Sequence, residues 1–233
     1  MNLGEADRLL TFFTEERGKI RAVARGARRT KSKFGASLEP LTCVHLVYFG
    51  KESADLYRVN SADIIRSFDG IRMDLEKWTY GLFLAEIIDK LLKERETLPP
   101  LYRLALALLG EIEADGRTKE HLILFQARVL SAVGYRPNLA RCVHCGGNLF
   151  EKGGVLGPGG QGISCPDCSQ GAAGYRLSPG SLRYLDRAIT LDSRRAMRLV
   201  IPKSLLSEIQ RFLLAYVADH SGVRLQVPKF FDL

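Results

Sequence analysis

The chain has 233 residues, 46% of them hydrophobic, enough for one large core or two to three small ones and too many for a disordered chain. No apolar run approaches the roughly 18 to 20 residues of a membrane span, and the opening Met-Asn-Leu-Gly-Glu-Ala-Asp has no basic or apolar signal region. A cytoplasmic chain with reduced cysteines is therefore expected, and the formal charge of +8 directs attention to anionic partners.

That charge has an address. The 17 residues from Arg17 to Lys33 hold eight Lys/Arg and no acid, and the rest of the chain balances at 26 against 26. Residues 9–13 form a short apolar run, and Glu15-Glu16-Arg17-Gly18 reads as a turn. Over residues 19–25, Ile20, Ala22 and Ala24 fall on one face, and Lys19, Arg21, Val23 and Arg25 on the other. A strand here would project three cations from one side of a sheet. The positive run continues into a mobile loop, Arg28-Arg29-Thr30-Lys31-Ser32-Lys33. Residues 41–49 are apolar or β-favouring on both faces and read as a buried strand; residues 56–60 and 64–68 read as two more. Short antiparallel strands with a basic outer face suggest a small barrel, the OB-fold foremost.

From about Asp74 the period becomes helical, so the fold class is α+β. Leu75, Trp78, Leu82, Ala85, Ile88, Leu91 and Leu92 form an apolar stripe that stops before Pro99-Pro100. Residues 101–114 are apolar nearly all round, as in a buried helix ended by Asp115-Gly116. Thr118 can cap a third helix, with Leu122, Phe125, Val129 and Val133 inward and Gly134 at its end. Ser178-Pro179 is a helix start. A last helix over about 204–220 turns Leu205, Ile209, Phe212, Leu213, Tyr216 and Val217 inward.

Between these helices, Cys142-Val-His-Cys145 and Cys165-Pro-Asp-Cys168 lie 19 residues apart, a C-x2-C-x19-C-x2-C pattern. Each pair can form a knuckle presenting two thiolates to one ion, and four thiolates suit the closed tetrahedral shell of one structural Zn²⁺. Two redox pairs are the competing reading, but neither sits in a thioredoxin-like strand–helix context. Gly153-Gly154 and residues 157–162 read as hairpin turns of a zinc ribbon; the latter lack the Gly-Lys-Ser/Thr ending of a phosphate loop. His144 is expected to face solvent beside a full ligand set, and Cys43 to be a small buried hydrophobe.

The strip from Arg17 to Lys33 has three readings at this stage: a nucleic-acid face, an anionic-membrane contact, or a solvated surface. Phosphate neutralisation would make binding steeply salt-dependent, with a log–log slope of roughly −3.5 to −4.5 for about five contacts. Phe34, Tyr48 and Tyr57 are candidate base-stacking platforms, with core packing as the alternative for the tyrosines. No catalytic residues emerge: no nucleophile–base pairing can be argued from the neighbours of the four histidines, at 45, 121, 144 and 220. A non-enzyme is expected.

Gly4-Glu5-Ala6-Asp7-Arg8, Phe13-Thr14-Glu-Glu-Arg-Gly18-Lys19 and Ala24-Arg-Gly26-Ala-Arg28-Arg29-Thr-Lys-Ser32 resemble the opening of the bacterial DNA-repair RecO family. The stretch Phe125-Gln-Ala-Arg128-Val-Leu130, through Gly134-Tyr135 to Arg141-Cys142-Val-His-Cys145-Gly146, is similar to that family's approach to its zinc module. The resemblance implies an OB-fold-like DNA-binding domain over residues 1–69 and a helical domain over 70–233, with a zinc module inserted at 140–175. It implies a recombination mediator that binds single- and double-stranded DNA and anneals complementary strands. Such a protein works with RecR and the single-stranded-DNA-binding protein SSB to place RecA on gapped DNA, in the bacterial cytoplasm and at the nucleoid during repair.

Under that resemblance Arg17, Lys19, Arg21, Arg25, Arg28, Arg29, Lys31 and Lys33 are the DNA-binding residues, and Cys142, Cys145, Cys165 and Cys168 the zinc ligands. The SSB tail, acidic with an apolar end, would need a groove with a cation in the helical domain; Arg128, Arg136 and Arg141 are candidates. A zinc-ribbon transcription or translation factor is the alternative, and would bind nucleic acid without accelerating annealing. One departure stands out. Family members usually carry a further strand before the Gly-Glu-Ser/Ala-Asp motif, at which this sequence starts. A late start codon, or a barrel lacking its first strand with an exposed edge, is the expectation.

Overall fold

In the computed structural model, residues 2–51, 54–114, 116–157, 159, 162–171 and 173–226 are described. They divide into two compact units, Met1–Gly116 and Arg117–Leu233.

The first unit contains β1 (Asn2–Leu3), β2 (Asp7–Thr14), β3 (Gly18–Ala24), a 3-10 turn (Gly35–Leu38), β4 (Cys43–Phe49), β5 (Tyr57–Arg66), α1 (Asp69–Arg72), α2 (Leu75–Leu91) and α3 (Pro99–Glu113). The sheet order is β1-β2-β3-β5-β4. Its strands are not all antiparallel: β3 and β5 run parallel through Ala22↔Tyr57 and Val23↔Arg58. Residues 57–66 form one continuous strand where the sequence suggested two, because β5 pairs along its length with β4. Register shifts at Cys43/Val44 and Val47/Tyr48 absorb the curvature. Strand β4 ends the sheet and leaves His45 and Phe49 exposed, so it is not the strand buried on both faces that its composition suggested.

Strand β1 pairs with β2 over two residues only. From Leu10 onward, β2 has a strand neighbour only on its β3 side among the described residues, and β1 does not pair with β4. The expected barrel is therefore an open five-stranded sheet. Its inner face packs Ala22, Ala24, Val59 and Ala62 with Phe34 and Leu38. Arg8 reaches Glu39 at 2.9 Å and ties β2 to the chain beyond the 3-10 turn.

Helix α2 starts at an Asp74 cap, whose carboxylate accepts from the Lys77 N–H at 2.9 Å. It buries Tyr80, Gly81, Phe83, Leu84, Ile87 and Leu91; of the expected stripe Leu91 and Leu92 are buried, whereas Leu75 is 72% exposed and Leu82 is exposed too. The helix is apolar around most of its circumference, so periodicity alone does not choose a face. The buried face packs against α1 and α3, and at Gly81 it approaches so closely that a Cβ would overlap the Leu41 side chain.

The second unit contains α4 (Thr118–Ala132), α5 (Leu149–Lys152), β6 (Gly154–Leu156), β7 (Ile163–Ser164), α6 (Pro166–Ser169), β8 (Tyr175–Leu177), α7 (Pro179–Thr190), α8 (Ser193–Ala196) and α9 (Lys203–Ser221). Helix α4 is buried without a break from His121 to Ala127 and packs against α7 and α9, so it is the centre of this unit. Its N-cap is Arg117; the expected cap, Thr118, is the first helical residue, and Asp115 lies outside the described residues. Helix α7 begins at Ser178, whose hydroxyl accepts from the Ser181 N–H at 3.2 Å, and α9 buries Ile209, Phe212, Leu213, Tyr216 and Val217. Among the described residues, no helix is long and apolar enough to cross a membrane.

Candidate nucleic-acid face and metal centre

The alternation read along β3 holds: Ile20, Ala22 and Ala24 are buried, and Arg21 and Arg25 are exposed. Lys19 departs from it. It is 8% exposed, its ammonium donates to the Asp89 carbonyl and lies 4.0 Å from the Asp89 carboxylate, and its own carbonyl accepts from the Arg95 N–H at 2.8 Å. The end of α2 and the chain after it cover this position, so Lys19 is withdrawn from the basic face.

Arg17, Arg21, Arg25, Arg28, Arg29, Lys31 and Lys33 are exposed. Arg21 faces Glu94 at 3.9 Å. Arg28 donates to the carbonyls of Gly4 and Glu5 at 3.2 and 3.1 Å, and its N–H to that of Ala6, so it braces the turn between β1 and β2. Arg25, Arg29 and Lys31 have no acidic partner among the described residues. The loop that carries these cations is folded into successive turns closed by Arg29 N–H to Gly26 O and Ser32 N–H to Arg29 O. Gly26, at φ +68°, opens it, and its N–H donates to Asp7 Oδ1 at 2.8 Å.

Phe34 is not a stacking platform. Its ring is 6% exposed, inside the core, with the Lys33 ammonium 5.2 Å from its centroid. Tyr48 and Tyr57 pack edge to face at 5.0 Å, Tyr57 against the same core.

In the second unit, Cys142, Cys145, Cys165 and Cys168 bring their sulfurs within 4.8 Å of one another. The first knuckle is folded by Cys142 N–H to Gly147 O and Gly146 N–H to Cys142 O, with Gly146 at φ +70°. The second opens α6, where the N–H groups of Cys168 and Ser169 both donate to Cys165 O. The two are joined by Cys165 N–H donating to Cys142 Sγ at 3.2 Å. Strands β7-β6-β8 form the small antiparallel sheet beside them. Of the expected turn at 157–162, residues 158, 160 and 161 lie outside the described residues. His144 is exposed, and Cys43 is half-buried rather than buried.

Models of the recombination protein O N-terminal and C-terminal domains match residues 1–68 and 72–228. The DNA repair protein RecO of Symbiobacterium thermophilum is 35% identical, covering 99% of this chain and 92% of its own length. The chain belongs to the RecO family. Another member, from Anaeromyxobacter sp. strain Fw109-5, is 32% identical over 100% of this chain and 91% of its own, and the RecO of Acetivibrio thermocellus is 31% identical over 94% and 87%.

The cysteine set of this RecO-family chain fits a tetrahedral dication. Zn–S bonds of ~2.3 Å place sulfurs about 3.8 Å apart, and Cys145 and Cys165 are separated by 3.8 Å. The two ends of the cluster differ in acidity. Burial pushes the Cys142 thiol up, but N–H donors from Cys145, Cys165 and His144 and the Cys145 thiol outweigh it and lower it to about 6. Cys168, hydrogen-bonded to the sulfurs of Cys145 and Cys165, is pushed up to about 12. The Cys142 thiolate therefore forms readily, whereas the Cys168 thiol holds its proton.

Sequence reasoning missed the groups that brace the second unit. Arg128, a candidate for an acidic tail, donates instead to Leu191 O, and burial lowers its pKa. Arg136 is exposed, and Arg141 donates to Gly146 O at 3.2 Å. Of the three candidates, Arg136 alone has no side-chain partner among the described residues. No sequence period distinguishes it from Arg128.

Proposed function

We propose that this chain acts in DNA repair as a recombination mediator that holds DNA along β3 and the turns after it. The observation that carries the reading is a run of seven exposed cations, on β3 at Arg21 and in the turns that flank it, of which Arg25, Arg29 and Lys31 have no side-chain partner among the described residues. Guanidinium and ammonium groups so placed neutralise phosphates without reading bases, which suits a protein that must accept any sequence. Screening the repulsion between two strands lowers the barrier to their pairing. The role is stoichiometric and involves no covalent step. The β1–β5 sheet is an OB-type sheet left open on one side, within a DNA-binding domain of residues 1–69; residues 70–233 form the helical domain.

Family membership supports the remaining assignments: annealing of complementary strands, cooperation with RecR, and delivery of RecA to DNA covered by SSB. Arg136 is the cation offered to an acidic SSB tail. Cys142, Cys145, Cys165 and Cys168, the inserted module at 140–175, would hold one structural Zn²⁺. Such binding is worth an apparent ~10–16 kcal/mol, ample to hold a ribbon of short strands together. With four thiolates no position is left open for chemistry.

The test is annealing of complementary oligonucleotides by the wild-type chain and by an Arg28→Gln/Arg29→Gln/Lys31→Gln variant. The variant should anneal at least tenfold more slowly at low salt. Equal rates would sink the proposal.

A further inference from the structure

The four clustered cysteines of the second unit are not equivalent toward solvent. Cys142 and Cys165 are 4% and 1% exposed, Cys168 is half-buried, and Cys145 is exposed. No side chain at position 147 shields it: the residue is glycine, and a Cβ there would lie 3.3 Å from Cys145 Sγ. A small oxidant therefore meets this sulfur before the others.

The partner for a reaction at Cys145 stands on the other knuckle. Cys145 Sγ lies 3.8 Å from Cys165 Sγ, and closing that gap to the ~2.05 Å of a disulfide takes a movement of less than about 2 Å. Cys165 is fixed beside it by its own N–H, which donates to Cys142 Sγ at 3.2 Å. Cys142 is the poorer partner, since its sulfur also accepts from the N–H groups of Cys145 and His144 and would have to give up these bonds. With Cys165 almost wholly covered, it suits the second step of an oxidation rather than the first.

We propose that Cys145 is an oxidative-modification site, at which hydrogen peroxide converts Cys145 and Cys165 into a disulfide that joins the two knuckles. The Cys145 sulfur attacks one peroxide oxygen, the O–O bond breaks, and a sulfenic acid and one water form. The Cys165 sulfur then displaces the hydroxyl as a second water and the S–S bond closes. Two thiols lose two protons and two electrons, and the peroxide is reduced to two waters. The consequence rests on the zinc reading above: the disulfide withdraws two of the four sulfurs offered to Zn²⁺, and the remaining pair does not close a tetrahedral shell. The basic strip belongs to the other unit, so the DNA-repair proposal stands or falls separately.

The experiment uses the full chain, reduced and loaded with zinc, as wild type and as Cys43→Ser, which removes the fifth cysteine. Hydrogen peroxide is added in graded amounts and zinc release is followed with a chromophoric chelator. Free thiols are then blocked and tryptic peptides are mapped without reduction. Trypsin cleaves after Arg141, Lys152 and Arg176, so the peptides 142–152 and 153–176 separate unless a bond between the knuckles joins them. Both chains should yield the joined pair, assigned by fragmentation to Cys145–Cys165, with about one zinc released per disulfide and recovery by dithiothreitol. At equal zinc occupancy, Gly147→Ala should release the metal at least about threefold more slowly, because its methyl group crowds Cys145 Sγ. Peptides that separate after oxidation, any other pairing, or an unchanged release rate in Gly147→Ala overturns the inference. The zinc content of the untreated chain tests the metal reading by itself. Should that content be nil, the same map still decides: a Cys145–Cys165 bond supports the site and its absence overturns it.

Discussion

The Lys19 ammonium donates to the main-chain carbonyl of Asp89, in the last turn of α2. The final four carbonyls of a helix have no intrahelical donor, and they carry the negative end of its dipole. A cation from β3 answers both needs at once, so one member of the basic strip serves the fold rather than a ligand. Lys19→Met should therefore lower stability by about 1–3 kcal/mol, read as a shifted urea midpoint, since it leaves that carbonyl unpaired. The salt slope of oligonucleotide binding should not change. A slope reduced by close to one unit would instead place Lys19 on phosphate.

Phe34 separates packing from stacking in the same way. As a core ring it should tolerate Phe34→Leu with a modest loss of stability, whereas Phe34→Ala leaves a cavity and should cost about 3–5 kcal/mol. Oligonucleotide affinity of the folded Phe34→Leu chain should match wild type in fluorescence titration. A base-stacking ring would instead cost about 1–3 kcal/mol of binding on replacement by leucine.

These two residues mark what was legible in the sequence. The alternation along β3, the long helices and the cysteine quartet all express a local period or spacing, and the structure carries them where they were read. Lys19 and Phe34 were misplaced because their surroundings come from elsewhere: Asp89 lies 70 residues from Lys19, and the core around Phe34 is assembled from β3 and β5. Helix α2 fails for a related reason. With apolar side chains on most of its circumference, the buried face is selected by tertiary packing on α1 and α3 and by the close approach of Leu41 to Gly81. The open sheet likewise depends on which strands pair, and no strand's own sequence states its neighbour.

The cysteine cluster predicts a pH-dependent metal affinity. With no cation present the Cys168 thiol is pushed up to about 12, so it is protonated at neutral pH and must release its proton on binding. Zinc affinity should fall as pH is lowered, by about tenfold per unit for each proton displaced. Competition with a chromophoric chelator at two pH values measures it, and an affinity indifferent to pH would contradict a thiolate ligand set. Cys165→Ser should abolish stoichiometric zinc and lower the thermal midpoint of the second unit.

Gln126 and Gln210 are both fully buried and exchange amide hydrogen bonds in both directions, at 3.0 and 3.1 Å, joining α4 to α9. Gln126 also donates to Leu122 O at 3.3 Å. A reciprocal amide pair in an apolar core stabilises little relative to leucine, yet losing one partner strands the other without solvent. Gln210→Leu alone should cost about 1–3 kcal/mol, because the Gln126 amide then keeps only its bond to α4. The Gln126→Leu/Gln210→Leu double variant should recover most of that loss, since no polar atom is left to desolvate. Urea unfolding of these two and of the Gln126→Leu single variant closes the cycle, and a coupling of at least ~1 kcal/mol is expected for residues in direct contact. Additive losses would mean that the two amides are stabilised separately and that the bond between them contributes nothing to joining the helices.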